Sequence, residues 1–451
     1  QPLMVLGTLP RVLSIDEDVE LPVNVFVTDK AIKNVSIEVH TDDKVQLIGD
    51  RKQSMKFSSV SDQITNFKIK TGNKQGITKV KIIARSGKYV SNYEMDVPIR
   101  IANPESIDIA QMTLEPGETK TVPVQMLGLP GTNKVIMESS TIPELNLKSK
   151  IDELIAYPHG CLEQTTSAMF PQIYLADLTS LTSEEKKTIN TNLEFGFEKY
   201  KSFQASSGGL SYWPNSNYIN DYATAYATHF MLEAKEKGYA INTDILKNSL
   251  KAIKSSASTY NPNRGRAYQN TYQAYRLMVL ALSGKPNLGA MNRLREAELE
   301  SSANIRLALA YAYSGKPNVA KELIGSVPVE IVPYIDDRYT YGSDHMDNAY
   351  LLELFLKLND KTKAYNFFRK TVKAMSSRRY LGTQTTAIML RSIQKYLSKN
   401  KVAPINIGIA FNGKRYSMKG EKPSYSQKMI PVNGSLKLTN NSSGTTVVNL
   451  I

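Results

Sequence analysis

Cys161 is the only cysteine in the 451-residue chain, and Gln164 follows it three positions later. A thiolate and a carboxamide at this spacing can condense with loss of ammonia, leaving an internal thioester between the sulfur of residue 161 and the side-chain carbonyl of residue 164. The neighbouring residues supply the geometry. Pro158 and Gly160 make a turn, and the apolar pattern from Leu162 through Ala168, Ile173 and Leu178 predicts a helix beginning at or just after the cysteine. Positions i and i+3 of a first helical turn share a face. A helix N-terminus favours thiolate character, which suits both making the bond and releasing the sulfur later. The stored acyl group is then an electrophile awaiting an amine or hydroxyl, with the protein itself as acyl donor.

C-x-x-Q alone is common, and a lone cysteine is ordinarily a small buried hydrophobe. Specificity comes from the longer segment. Tyr157-Pro158-His159-Gly160-Cys161-Leu162-Glu163-Gln164-Thr165-Thr166-Ser167 resembles the thioester signature of the bacterial alpha-2-macroglobulins, relatives of the animal protease-trapping macroglobulins and the thioester complement components. Further segments fit that family: Gly208-Gly209-Leu210-Ser211-Tyr212-Trp213-Pro214, Thr224-Ala225-Tyr226-Ala227-Thr228-His229, Tyr341-Gly342-Ser343-Asp344 and Gly382-Thr383-Gln384-Thr385-Thr386-Ala387. The resemblance runs essentially end to end. Gln1 opens almost directly into strand-like sequence, with no initiator methionine, signal peptide or lipidation motif, so the chain reads as a fragment from the C-terminal region of a longer protein.

At this length two to four domains are expected. Hydrophobic content of 41% and charged content of 22% are those of ordinary globular protein. No apolar run approaches the ~20 residues that span a bilayer. The net charge of +14 raises the question of nucleic acid, but the lysines and arginines are scattered, with pairs such as Arg378-Arg379 and no run of five. A solvated surface explains them, and no nucleic-acid partner is expected. A single cysteine excludes an internal disulfide framework.

The elements that must carry the site change texture twice. Residues 1–148 are strand-like: Leu21–Thr28, Val35–His40, Val80–Ile83 and Met95–Ile101 are apolar or alternating runs between Gly, Asn and Asp turns, which predicts antiparallel β-sandwiches. Asn103-Pro104 reads as a linker, and Gln111–Leu114 with Thr121–Leu127 as a hairpin opening a second β unit. From about 149 to 400 the period is helical. Leu280–Asn287 is echoed by Ala310–Asn318, each copy closing an apolar helix with glycine and opening the next after proline. Helical hairpins repeated in this way suggest an α-solenoid or a closed α/α toroid. Strands return at Ile405–Phe411, Tyr425–Met429, Ser435–Leu438 and Thr446–Leu450.

The resemblance selects the toroid and implies the order: residues 1–102 a macroglobulin-like β-sandwich, 103–148 the first half of a CUB-type β-sandwich, 149–400 the inserted thioester domain, and 401–451 the second half. Neither a bait region nor a C-terminal receptor-type domain is recognisable. The implied activity is single-use protease inhibition rather than enzymatic turnover. A protease cuts the bait of the parent protein, the thioester is exposed, and a lysine amine of the attacker becomes amide-linked to residue 164. Until then the bond needs a water-poor pocket, for which Tyr157, Tyr212 and Trp213 are the candidate walls. His159 is either a base beside the nucleophile or a turn residue packing on Pro158, the second being the simpler reading. Glu163 either steers an amine or supports the helix start through the dipole. His229 and His345 are the only counterparts for a histidine that diverts relatives toward hydroxyl targets, and neither stands in a matching context, so amines are the expected targets.

Asp336, Asp337, Asp344, His345 and Asp347 match no ligand spacing, and neither a metal nor a cofactor is expected. The resemblance also implies a periplasmic location with a lipid anchor outside this fragment, and a penicillin-binding protein as partner. Two other classes fit a lone cysteine: a cysteine-dependent toroidal enzyme, and a binding or structural module with a vestigial pocket. Both leave the remainder of the 157–167 segment unexplained.

Overall fold

The computed structural model describes residues 1–451 apart from 102–105, 130, 143–150, 326, 328–329, 336–340, 377–380 and 401. The Asn103-Pro104 linker, Arg378-Arg379 and two of the aspartates considered for metal, Asp336 and Asp337, lie outside the described residues. The chain divides into two compact units, Gln1–Ile107 with Leu127–Asn133, and Asp108–Met126 with Lys134–Ile451.

The first unit is all β. Its strands are β1 (Leu3–Gly7), β2 (Leu13–Ser14), β3 (Asp18–Val27), β4 (Asn34–Thr41), β5 (Val45–Ile48), β6 (Lys52–Lys56), β7 (Ser61–Thr71), β8 (Gly76–Ser86) and β9 (Tyr89–Arg100). They form one sheet in the order β1-β3-β7-β5 and another in the order β2-β9-β8-β4-β6. All pairings are antiparallel except the short β2–β9 ladder. Alternation explains the packing: Leu21, Val23, Val25 and Val27 of β3 point inward with Phe67 and meet Val35, Ile37 and Val39 of β4 and Val80 and Ile82 of β8.

The second unit holds a second sandwich with a helical domain inserted in it. Before the insertion come β10 (Ala110–Leu114), β11 (Thr119–Val124) and β12 (Val135–Ser140). After it come β13 (Ile405–Phe411), β14 (Lys414–Gly420), β15 (Ser424–Met429), β16 (Gly434–Asn440) and β17 (Thr446–Leu450). Sheets β10-β17-β12-β15 and β11-β16-β13-β14 interleave strands from both sides of the insertion, and Leu114, Met137, Ile407, Ile409, Leu438 and Val448 fill the space between them. The hairpin expected from residues 111–127 is not formed. β10 pairs with β17 and β11 with β16, on opposite sheets. The turn between them is drawn across by Asn440, whose carbonyl accepts from Gly117 N–H at 2.7 Å and whose N–H donates to the Glu118 carbonyl at 2.9 Å. An arch between sheets and a hairpin within one carry the same alternation, so the pattern could not separate them.

Among the described residues the insertion contains twelve α-helices: α1 (Ile151–Leu154), α2 (Leu162–Leu178), α3 (Ser183–Phe203), α4 (Asp221–Glu236), α5 (Thr243–Thr259), α6 (Ala267–Leu282), α7 (Leu288–Arg295), α8 (Ser301–Tyr313), α9 (Pro317–Gly325), α10 (Asp344–Lys357), α11 (Lys361–Ser376) and α12 (Thr383–Lys399). From α2 onward the even-numbered helices pack in succession, and α12 returns to α2, closing a ring; the odd-numbered helices lie outside it. Burial follows this arrangement. α4 buries twelve of its sixteen residues, whereas α5 buries five of seventeen, all on one stripe. The echoed Gly-Lys-Pro-Asn segments are the tight links from inner to outer helix, with Gly284 and Gly315 at φ of 75° and 70°, conformations that suit glycine. The fold is therefore antiparallel β-sandwiches, as the alternating runs predict, plus an α/α toroid, the choice that the resemblance made between toroid and solenoid.

The ring axis is ionic at its closed core. Arg391 of α12 is fully buried; its Nη2 stands 2.7 Å from Glu233 of α4, and its Nη1 bonds Glu353 of α10. Lys395 reaches the same two carboxylates at 2.9 and 3.1 Å. Tyr174 of α2 donates to Glu233 at 2.7 Å, and Tyr313 of α8 donates to Glu353. Burial alone would raise Glu353, but Arg391 and Lys395 draw it down to about 2. They hold Glu233 well below the usual carboxylate range for the same reason. Two cations and two carboxylates in mutual contact leave no buried charge uncompensated.

Candidate functional site

The N-terminal end of α2 carries the cysteine and the glutamine. Cys161 is the N-cap, with extended backbone at φ −74° and ψ 176°, and Gln164 is the third helical residue. The two form a reciprocal capping box: Cys161 N–H donates to Gln164 Oε1 at 3.2 Å, and the backbone N–H of Gln164 faces the Cys161 side chain. Gly160 sits at φ 80°, and a Cβ there would lie 2.0 Å from Gln164 Oε1. Only glycine allows the chain to turn into the helix while the carboxamide folds back over the turn. Cys161 is 2% exposed, whereas Gln164 is exposed. The thiol is thus sheltered, while the glutamine beside it faces outward.

The motifs singled out in the sequence meet at this helix end. Leu162 N–H donates to the Tyr212 carbonyl at 3.0 Å, docking the glycine-rich segment 208–214 on the first turn of α2. Tyr212 OH lies 3.4 Å from Tyr341 OH. Its phenol is pushed up by burial first, then by Tyr341 and by Cys161 beside it. Glu163 is buried, and its Oε1 accepts from Ser167 at 2.7 Å and from Gln384 Nε2 at 3.0 Å. Gln384 Oε1 in turn accepts from Tyr222 at 2.9 Å. Ser343 and Thr385 hydroxyls meet at 2.9 Å. Segments 157–167, 208–214, 341–344 and 382–387 thereby converge on one end of the ring. Glu163, which the sequence left between steering an amine and supporting the helix start, ties α2 to α12.

Of the aromatic candidates, Tyr212 lies against the cysteine, while Tyr157 and Trp213 are 51% and 58% exposed. Tyr157 packs on Phe195 with ring centroids 4.8 Å apart and planes tilted by 34°, and Trp213 stands edge-on to Tyr212 at 5.7 Å. His159 is exposed; its N–H donates to the Tyr157 carbonyl at 2.9 Å, and its carbonyl accepts from Thr165 at 3.4 Å, as a turn residue would. His229 is far from this role. It is fully buried in the ring core, its Nδ1 2.9 Å from Tyr275 OH and its Nε2 3.8 Å from Glu233. Burial and Arg391 bring its pKa down to about 4, so the imidazole is neutral. His345 pairs with Asp344 at 3.2 Å, and Asp347 is engaged by Arg306 at 2.8 Å. Among the described residues no three His, Cys, Asp or Glu side chains group to hold a metal, and no helix is long and apolar enough to cross a membrane.

One contact had no signal in the sequence. Lys199, on α3, donates from Nζ to the Gly160 carbonyl at 3.0 Å and approaches the Pro158 carbonyl at 3.4 Å. The far end of α2 is held as well: Ser180 N–H donates to the Ser424 carbonyl at 3.2 Å and Ser426 N–H to Ser180 Oγ at 3.3 Å, binding the helix to β15.

Residues 133–259, which carry the Cys-x-x-Gln helix and the first helices of the ring, match the family model described as the A-macroglobulin TED domain. The chain is a relative of the bacterial alpha-2-macroglobulins. It is 30% identical to alpha-2-macroglobulin of Escherichia coli strain K12 over 263 residues, covering 53% of this chain and 16% of that protein. It is 21% identical to that of Pasteurella multocida over 453 residues, covering 92% and 24% respectively. The chain thus spans less than a quarter of the length of these relatives. Among solved structures, Salmonella alpha-2-macroglobulin reacted with methylamine superposes with a TM-score of 0.60 at 21% identity, over all of this chain and 30% of that one. Native E. coli alpha-2-macroglobulin from domain MG7 to the C-terminus gives a TM-score of 0.57 at 20% identity, over all of this chain and 73% of that one. At these identities the superpositions describe the fold.

Proposed function

We propose that Cys161 and Gln164 condense into an internal thioester and that the chain is the acyl-donor portion of a protease-trapping inhibitor. The observation that carries this reading is the closed turn: Gly160 at a positive φ, Gln164 Oε1 on Cys161 N–H at 3.2 Å, and the thiol sheltered beside an exposed carboxamide. Condensation converts the Cys161 thiol and the Gln164 carboxamide into a thioester and ammonia. An arriving amine then attacks the acyl carbon and the sulfur departs, so each molecule reacts once. In this reading cleavage elsewhere in the parent protein exposes the site, and lysine amines of the attacking protease are the nucleophiles. The sandwich that interrupts itself to hold the toroid takes the place of the CUB-type domain, and the parent protein works in the periplasm.

The test is the intact mass of fresh protein before and after methylamine. A species lighter than the sequence by one ammonia, gaining one methylamine and exposing one titratable thiol, supports the reading. A full sequence mass with a free thiol and no adduct, both in this chain and in its longer parent, would leave the binding-module class as the better account.

A further inference from the structure

The turn that presents Cys161 is fastened from below by a lysine on a different helix. Lys199 lies near the C-terminal end of α3, half-buried over the Phe203 ring, with Nζ 5.7 Å from its centroid. The ammonium donates to the carbonyl of Gly160, the residue that must take φ 80°, and approaches the carbonyl of Pro158. Lys201, two residues along, pairs with Glu198 at 2.6 Å on the exposed face. No such ion pair with a carboxylate is formed by Lys199 among the described residues. Burial lowers its pKa, and the charge of Cys161 opposes that shift.

The titratable groups around Cys161 come from four elements. His159, exposed, and Glu163, committed to Ser167 and Gln384, belong to its own segment. Tyr212 comes from the loop after α3, with Tyr341 of the segment before α10 behind it. α3 contributes Lys199, the cation tied directly to the cysteine's own turn.

We propose that Lys199 is a positioning residue of the Cys161–Gln164 site: its ammonium braces the Pro158–Gly160 turn and supplies the positive charge toward which the sulfur's electron pair moves when the acyl–sulfur bond breaks. This rests on the thioester reading above. In the transfer step the amine lone pair forms a nitrogen–carbon bond to the side-chain carbonyl carbon of residue 164. The carbon–sulfur bond breaks with its electron pair on sulfur, and the proton of the attacking amine passes to solvent, leaving an amide and a Cys161 thiolate. A positive charge held on that turn lowers the barrier to the sulfur's departure.

The test separates charge from geometry. Lys199→Gln keeps donors for the two carbonyls without the charge, Lys199→Arg keeps both, and Lys201→Met removes a nearby charge that does not touch the turn. In a Gln164→Ala background, where Cys161 is free whatever the thioester does, the rate of iodoacetamide alkylation is followed against pH, with thermal melts showing that each variant is folded. Lys199→Gln is expected to slow alkylation at neutral pH about tenfold. Lys199→Arg should restore most of that rate, and Lys201→Met should leave the profile in place. With Gln164 present, methylamine should open the Lys199→Gln thioester about tenfold more slowly. Superimposable alkylation profiles for Lys199→Gln and its parent, or an equal shift from Lys201→Met, would overturn the proposal. Absence of the ammonia loss in the unmodified chain would count against the thioester instead, while the alkylation profiles would still decide the role of Lys199.

Discussion

Gly160 and Gln164 compete for one volume: a Cβ on the glycine would sit 2.0 Å from the carboxamide oxygen that accepts the Cys161 N–H. The smallness of residue 160 is therefore part of the chemistry. Gly160→Ala is expected to retain both Cys161 and Gln164 yet lose the ammonia-deficient species in the intact mass, because the carboxamide is driven off the turn. The positive φ adds about 1–2 kcal/mol of destabilisation, readable in a denaturant melt. Full thioester occupancy in this variant would show that the turn is not what aligns the two groups.

Gln164→Glu should behave in the opposite way. Glutamate completes a capping box as well as glutamine does, so the fold and melting point should change little. A carboxylate does not lose ammonia, and the mass should equal the full sequence with one titratable thiol. A cysteine hydrolase using Cys161 would be almost indifferent to the same change in a turnover assay.

The ionic core of the toroid offers a stability test. Arg391→Met leaves Glu233 and Glu353 buried against Lys395 alone, and the expected loss is about 3–5 kcal/mol in chemical denaturation. Replacing Arg391, Glu233 and Glu353 together with apolar residues of similar size should recover much of that loss. An Arg391→Met protein as stable as its parent would mean that the network is not what holds the ring closed.

Stability should fall with acid in two stages. His229 binds its proton more weakly folded than unfolded, with a pKa brought from 6.5 to about 4, so the unfolded chain takes up protons first and stability declines as pH drops through that interval. Glu353, lowered from 4.5 to about 2, and Glu233 then lose their contribution as pH falls from the unfolded value toward the folded one. His229→Gln should remove the first stage and keep the second, as seen in melting temperatures taken across the acid range.

Local features were legible before the fold was known. The start of α2 at the cysteine follows from the Pro158–Gly160 turn and the apolar stripe after it, and the Gly284 and Gly315 links follow from a repeated glycine–proline signal. Long-range features were not. Gln384 meets Glu163 from 221 positions away, and nothing in the period of α12 points to that partner. Lys199 looks like any lysine of an amphipathic helix until the fold brings its ammonium to Gly160. Tyr157 and Trp213 show the converse limit, since an aromatic residue next to a reactive segment reads as a wall whether its ring is buried or, as here, half exposed. The 111–127 hairpin became an arch because its partners β16 and β17 lie beyond the whole toroid.

That interruption has a consequence for biosynthesis. β12 ends at Ser140 and β13 begins at Ile405, and Gln111 bonds Asn449 across 338 positions. At the ~5–20 residues per second of typical translation, β10, β11 and β12 wait roughly 15–50 s on the ribosome before the strands they need begin to emerge. The toroid, rich in contacts between neighbouring helices, can form during that delay and bring the two ends of the sandwich together. Released chains truncated before residue 405 should therefore carry a protease-resistant helical ring preceded by the unpaired strands β10, β11 and β12, and these are where a chaperone would find its grip.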